Sequence, residues 1–381
     1  MHERRQFLSL DYIRFFAAFA VMAYHYGHHS WHAPDGAFGI RAAIGAPVRF
    51  EALGPWTSLG FLGVEVFFLI SGFVIALSAE GRSAFEFFRA RAVRLLPAYW
   101  SFVLLCLLVT LAYVEGHNGE IIERFARSIV MFPQGPWLDG IYWTLIVEII
   151  FYLFIFVLLL ANTFDRIELI TFTWSILCFV LLSVALATRL VGATPPALIS
   201  LAAFVDSYAS RPLLISTGPF FALGVAVYGL VRRGTTPWRL AFAAVAAAGG
   251  GIAVFFTSGS LGGVSVWALA TGGTIWLIFF EAGRAVRPVA SWQARLARVI
   301  GLAAYPLYLV HNIIGAWVLG RLITFGWSPY LALIGAATFS IGLSLAFAAF
   351  VEPELQRNLR RGIDGAHTRV QTFLATVSRH R

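Results

Sequence analysis

Residues 141–161 read IYWTLIVEIIFYLFIFVLLLA, a run in which Glu148 is the only charged side chain. At a rise of about 1.5 Å per residue, an α-helix over this run is about 30 Å long, which matches the hydrocarbon thickness of a bilayer. A segment this long and this apolar predicts a transmembrane helix.

Other runs of the same character lie along the whole chain, and together they predict an all-α, polytopic membrane helix bundle of about ten transmembrane helices. Glycine clusters within 239–281 leave a re-entrant hairpin as an alternative to two crossings there. The other predicted spans are 7–27, 59–79, 96–116, 167–190, 211–231, 239–257, 262–281, 299–320 and 330–352.

The composition agrees with a membrane protein, since 59% of the residues are hydrophobic, 12% are charged and the mean hydropathy is +0.78. Soluble domains carry about a quarter charged residues. The net charge of +9 comes from arginines between apolar runs, so we expect membrane topology and no nucleic-acid partner. Cys106 and Cys178 lie inside apolar runs and predict neither a disulfide nor a metal site.

The arginines also predict the orientation, because cytoplasmic loops carry the excess of positive charge. With an even number of spans and both termini in the cytoplasm, the outer side receives only the smaller group Arg41, Arg49, Arg124, Arg127, Arg189, Arg211 and Arg321. Asp11 and Arg14 interrupt the first run, so we expect it to stay as a helix and not to be a cleaved signal peptide. We predict one membrane domain over 1–353 and a short polar cytoplasmic tail over 354–381.

Ionisable residues inside predicted spans are costly and are therefore candidates for function. In the first helix, Arg14 and His25 lie within about 20° of one face and about 16 Å apart along the axis, so we expect both to face one cavity. Asp11 lies one turn before Arg14, and a structural salt bridge between them is the alternative interpretation.

His25 can be neutral and then accept a proton, which a general base requires, although a hydrogen-bonded core histidine is an alternative. His28, His29 and His32 follow at helical spacing, but Gly27 and Pro34 indicate that the helix is ending there. We therefore predict no metal site.

Three more ionisable residues are expected at the depth of His25, namely Glu65, Glu148 and His311. Two carboxylates and two imidazoles at one level suggest a cluster that handles protons or orients a substrate. Each of them could instead be a buried polar strut.

The run over 88–99 is predicted to join helices two and three on the cytoplasmic side. Arg91 and Arg94 are one turn apart on one face and offer planar, permanently charged groups to phosphates. Ordinary positive-inside topology is the alternative explanation.

Six motifs in this order resemble the acyltransferase-3 family of integral-membrane O-acyltransferases, over roughly residues 7–353. Two departures are Phe15, where the family usually has Gly, and the long loop 28–58. The motifs are Leu10–Arg14 (LDYIR) with His25, Gly60–Phe73 (GFLGVEVFFLISGF), Arg91–Tyr99 (RAVRLLPAY), Trp143–Tyr152 (WTLIVEIIFY), Tyr305–His311 (YPLYLVH) and Glu352–Pro353.

The resemblance implies a bacterial inner-membrane enzyme without a permanently bound cofactor, embedded in membrane lipid. Its co-substrate would be an acyl-CoA, most simply acetyl-CoA, bound from the cytoplasm by Arg91, Arg94 and Arg14. Its acceptor would be a hydroxyl of an extracytoplasmic glycan or lipid-linked saccharide. Supporting roles at the substrates are expected for Asp11, Ser71, Trp143, Tyr152, Tyr305 and His311.

We expect His25 to deprotonate the acceptor or to become transiently acylated, with Glu65 or Glu148 orienting it. A transporter or flippase is the main alternative, because ten helices with buried charges suit that function equally well. Consumption of acyl-CoA distinguishes the two, since a transporter does not consume it. A sensor or scaffold without catalysis is a third possibility, in which His25 and Arg14 would be replaceable.

Overall fold

The computed structural model describes residues 7–192, 195–283 and 291–379, and within these ranges it is helical with no strand. The predicted all-α fold is therefore confirmed. The predicted cytoplasmic arginines at 4, 5, 284 and 287 lie outside the described residues.

The helices of ten residues or more are numbered in chain order. They are α1 Leu8–Tyr24, α2 Gly63–Ala79, α3 Ala84–Tyr113, α4 Asn118–Ile129, α5 Tyr142–Leu160, α6 Ile167–Val191, α7 Pro196–Asp206, α8 Gly218–Arg233, α9 Pro237–Ser258, α10 Leu261–Gly283, α11 Ser291–Val310, α12 Ile313–Thr324, α13 Pro329–Ala346 and α14 Glu352–Arg379.

Among the described residues, seven helices are long and apolar enough to cross a membrane, and a bent pair raises this number to eight. The chain is thus a multi-pass membrane protein. Two other predicted spans correspond to α1 and α8, which have 17 and 16 residues. The count of ten and the cytoplasmic termini stay predictions. In 239–281 the structure has two helices of 22 and 23 residues, each long enough for a full crossing.

Glycines allow the central helices to approach closely, as is common in membrane bundles. A side chain at Gly72 or Gly224 would collide with the backbone of the opposite helix where α2 meets α8. Gly60 and Gly63 pack in the same way against backbone carbonyls of α1. This packing fixes α1, α2 and α8 around the polar residues described below.

Two predicted boundaries are wrong. The run 88–99 does not connect two helices but belongs to the 30-residue α3, which starts with a capping box between Ser83 and Glu86. The first helix does not end at Gly27, because the chain continues as a π-helix over His25–His29 and a short α-turn over Ser30–His32. Single π-turns of this kind are frequent at functional sites.

The predicted span 299–320 is broken after Val310, and its two halves, α11 and α12, are bent by 70°. His311 and Asn312 form the break, and the backbone of Asn312 has φ −74° and ψ −85°. The break places His311 at a helix end within the bundle, where its side chain is fully buried.

The predicted tail forms most of α14, which packs against the start of α3. Arg89 and Asp364 form an ion pair of 2.7 Å, and the rings of Phe85 and His367 stack at 3.7 Å. The predicted tail therefore packs against the bundle at the end that carries the turn over 80–83.

Candidate active site

Two cavities lie one above the other in the bundle. The inner cavity, of about 390 Å³, opens between α1, α2, α3, α5 and α11 toward the end that holds α14. The outer cavity, of about 540 Å³, lies toward the π-helix and the loop before α5. Both cavities are lined by Val64, Phe68, Thr144 and Tyr308, which we call the partition. A hydrogen bond of 2.8 Å joins the hydroxyls of Thr144 and Tyr308.

The inner cavity is rich in positive charge. Arg14, Arg91 and Arg94 line it, and Glu148 is the one carboxylate in its lining among the described residues. The predicted polar residues Ser71, Tyr152 and Tyr305 complete its wall.

Hydrogen bonds hold these side chains in place. Glu148 accepts from the hydroxyls of Ser71 at 2.8 Å and Tyr152 at 2.6 Å. Arg91 donates to the hydroxyl of Ser78 at 3.0 Å, and its Nε is buried without a partner. Since Arg91 has no carboxylate partner among the described residues, its charge is available to an anionic ligand.

Arg94 differs from Arg91, because it pairs at 3.1 Å with Glu352 at the start of α14. Gln356 also donates to the Glu352 carboxylate, at 2.8 Å. The closing motif Glu352–Pro353 thus contacts Arg94, which lines the inner cavity.

His25 lines the outer cavity, and its Nδ1 lies 3.0 Å from Nε2 of the fully buried His311. His311 Nδ1 lies 3.2 Å from the carbonyl of Leu307, to which only an N–H can hydrogen-bond. His311 Nε2 is then the acceptor, so the proton of His25 is on Nδ1, which also lies 3.0 Å from the carbonyl of Val21. His25 Nε2 is left as an unprotonated base.

Asp139, in the loop before α5, fixes the break that carries His311. Its carboxylate accepts from Asn312 Nδ2 at 2.6 Å and from the backbone N–H of Ile313 and Ile141 at 3.3 and 3.1 Å. Burial raises the pKa of Asp139 to about 6, and these three donors oppose the rise. Asp139 thereby caps the start of α12.

Three polar groups of the outer cavity have no partner that satisfies them among the described residues. The buried oxygens Glu65 Oε2 and Asn312 Oδ1 accept no hydrogen bond. Within the part of the chain that the structure describes, the Arg211 guanidinium forms no ion pair, and it lies over the ring of Trp143 at 4.2 Å. The cavity therefore offers acceptors and one cation to a ligand.

The family model described as an acyltransferase domain, that of acyltransferase-3, matches residues 7–350. The chain belongs to the acyltransferase-3 family. It is also similar to the exopolysaccharide production protein ExoZ of Rhizobium meliloti (strain 1021), with 30% identity over 100 residues, which is 26% of this chain and 32% of that protein. No solved structure matches the chain.

The predicted site residues of this acyltransferase domain are divided between the two cavities, which the sequence did not show. Arg14 lines the inner cavity and His25 the outer one, so the prediction that both face one cavity is wrong. Glu148 lines the inner cavity with Arg14. The prediction that Glu148 lies at the same depth as His25 is therefore also wrong. His311, and neither Glu65 nor Glu148, is the side chain that hydrogen-bonds to the His25 ring.

Other predicted residues lie where they could act. Glu65 and Trp143 line the outer cavity with His25. Asp11 packs against Gly301 of α11. Any residue larger than glycine at position 301 would collide with the Asp11 side chain.

The predicted site does not include Asp139, Asn312 or Tyr308. Arg211 enters the prediction only through the topology of the chain. Asn312 directly follows the motif Tyr305–His311, and Tyr308 lies within it. No local sequence pattern indicated a role for Asp139, because only the bend between α11 and α12 brings Asn312 into contact with it.

Proposed function

We propose that this chain is an O-acyltransferase of the bacterial inner membrane. It moves an acyl group, most simply acetyl, from an acyl-CoA in the inner cavity to a hydroxyl of a glycan or lipid-linked saccharide in the outer cavity. The observation that carries this proposal is the contact of His25 Nδ1 with His311, which leaves Nε2 of His25 free in a cavity that shares a wall with an arginine-lined one.

The inner cavity suits the donor. Acyl-CoA is strongly anionic, and Arg14 and Arg91 can neutralise part of that charge from the wall of the inner cavity. The thioester then reaches the partition, where the Thr144 and Tyr308 hydroxyls lie next to the outer cavity. Coenzyme A acts as a co-substrate that leaves after each turnover.

The outer cavity suits a hydroxyl-rich acceptor. Glu65 and Asn312 present unpartnered oxygens to which sugar hydroxyls can donate. Tyr24, Phe61 and Trp143 add aromatic faces for stacking on sugar rings. The name of the R. meliloti relative ties that protein to exopolysaccharide production, which supports a glycan acceptor here.

In the proposed reaction, His25 Nε2 takes the proton of the acceptor hydroxyl as its oxygen attacks the thioester carbonyl. The imidazolium is stabilised because its Nδ1–H donates to His311 Nε2. The C–S bond breaks, the acyl group stays on the acceptor oxygen, and the proton passes from His25 to the departing thiolate. The products are an ester and free coenzyme A.

Two alternatives make different predictions. If His25 itself becomes acylated, label from acyl-CoA accumulates on the protein when no acceptor is present. If the chain is a transporter or flippase, for which two cavities separated by a partition would also be suitable, acyl-CoA is not consumed.

The decisive test is transfer of label from radioactive acetyl-CoA to envelope glycan in membranes that contain wild type or His25→Ala. We expect His25→Ala to lose at least about 10²-fold in rate, since it removes the general base. His32→Ala is the matched control, because this exposed histidine lies two turns further on and outside both cavities. Equal rates for wild type and His25→Ala would contradict the assignment.

A further inference from the structure

A third cavity, of about 330 Å³, lies where α14 meets the start of α3. Arg82, Arg89 and Arg360 line it, with Glu86, Gly81 and Ala90. Its three arginines come from the turn before α3, from α3 itself and from the tail helix. We call it the basic cavity.

Ala90 connects the basic cavity to the donor site, because it lines the inner cavity as well. Arg91, the next residue, faces the inner cavity. A ligand that extends from the inner cavity past Ala90 can therefore reach the basic cavity.

The charge of the basic cavity is only partly compensated. Arg89 is paired with Asp364 at 2.7 Å, which also ties α14 to α3. Among the described residues, Arg82 and Arg360 form no ion pair. Two guanidinium groups, one from the turn before α3 and one from α14, can thus bind a phosphate with charge-assisted hydrogen bonds.

We propose that the basic cavity binds the phosphorylated nucleotide end of the acyl-CoA donor, so that the tail helix is part of the donor site. This proposal rests on the proposed function. The match to the family model ends at residue 350, so Arg360 is a contribution of this chain beyond the family domain.

The test is binding of adenosine 3′,5′-bisphosphate, the isolated nucleotide end, to the purified full-length chain in neutral detergent. We expect Arg360→Gln to weaken binding about tenfold, the loss typical of one charge-assisted hydrogen bond. Arg361→Gln is the matched control, because it removes the same charge from the neighbouring exposed position outside the cavity. Equal affinities of both variants and wild type would overturn the proposal.

Kinetics with acetyl-CoA and its 3′-dephospho form separate this proposal from the proposed function. Arg360→Gln should raise KM for acetyl-CoA about tenfold, leave kcat unchanged and remove most of the discrimination against the dephospho form. Active wild type with an unchanged KM in Arg360→Gln would refute the nucleotide site alone. Wild type that consumes no acyl-CoA would refute the proposed function and this site with it. An effect that appears only in vesicles containing anionic lipid would assign the cavity to lipid headgroups instead.

Discussion

At the scale of single residues, the site depends on which histidine nitrogen carries a proton. His311 receives a hydrogen bond only because its Nδ1 is directed at the Leu307 carbonyl. His25 is thereby held with its basic nitrogen free, much as a third group orients the base in a catalytic triad.

We predict that His311→Leu lowers kcat by about tenfold or more, because the His25 imidazolium loses its acceptor. His311→Gln, which keeps an acceptor oxygen, should retain more activity than His311→Leu and have a similar KM for the donor. Steady-state kinetics of the two variants in membranes checks this. If Gln and Leu are equally impaired and the pH profile is unchanged, His311 has only a packing role.

The single residues of the site were in large part predictable from sequence, because ionisable side chains in apolar runs are rare enough to stand out. His25, Glu65 and Arg14 all line one of the two cavities. The sequence could not show that Arg14 and His25 face different cavities, because helical spacing fixes direction but not the packing of Phe68 and Tyr308 between them.

At the scale of elements, the break between α11 and α12 creates the site. The length of the mostly apolar run predicted one straight span over 299–320, and Asn312, a residue type common at the starts of helices, was the one local sign of a break at 311–312. The bend is held from outside the element, by the Asp139 carboxylate on Asn312 and Ile313. A contact between residues so distant in sequence cannot be read from local patterns.

We predict that Asp139→Ala destabilises the protein by about 1–3 kcal/mol, because it leaves the buried donors of Asn312 and Ile313 unsatisfied. The thermal midpoint in detergent should fall, and acyl transfer should fall further as His311 loses its position. Asp139→Asn keeps one acceptor oxygen and should lie between Asp139→Ala and wild type. Asp35→Ala, at an exposed acid, is the control and should match wild type. An unaltered midpoint in Asp139→Ala would show that the break does not depend on this carboxylate.

At the scale of the whole molecule, two cavities meet at the partition. The partition of Val64, Phe68, Thr144 and Tyr308 lets a donor and an acceptor approach from opposite sides without an open pore. Phe68 is 3% exposed and stacks on Phe221 at 4.8 Å, so its ring is held in place in this wall. The distribution of arginines predicts that the inner cavity faces the cytoplasm.

The most direct test of this arrangement is acyl transfer in sealed membrane vesicles of known orientation, with labelled acetyl-CoA supplied to one side only. We predict that label reaches the glycan on the opposite side when acetyl-CoA is given at the face that carries the inner cavity and α14. No label should be transferred when acetyl-CoA is given at the other face, nor by His25→Ala in either orientation. Equal transfer from both faces would contradict a donor site and an acceptor site on opposite sides of the partition.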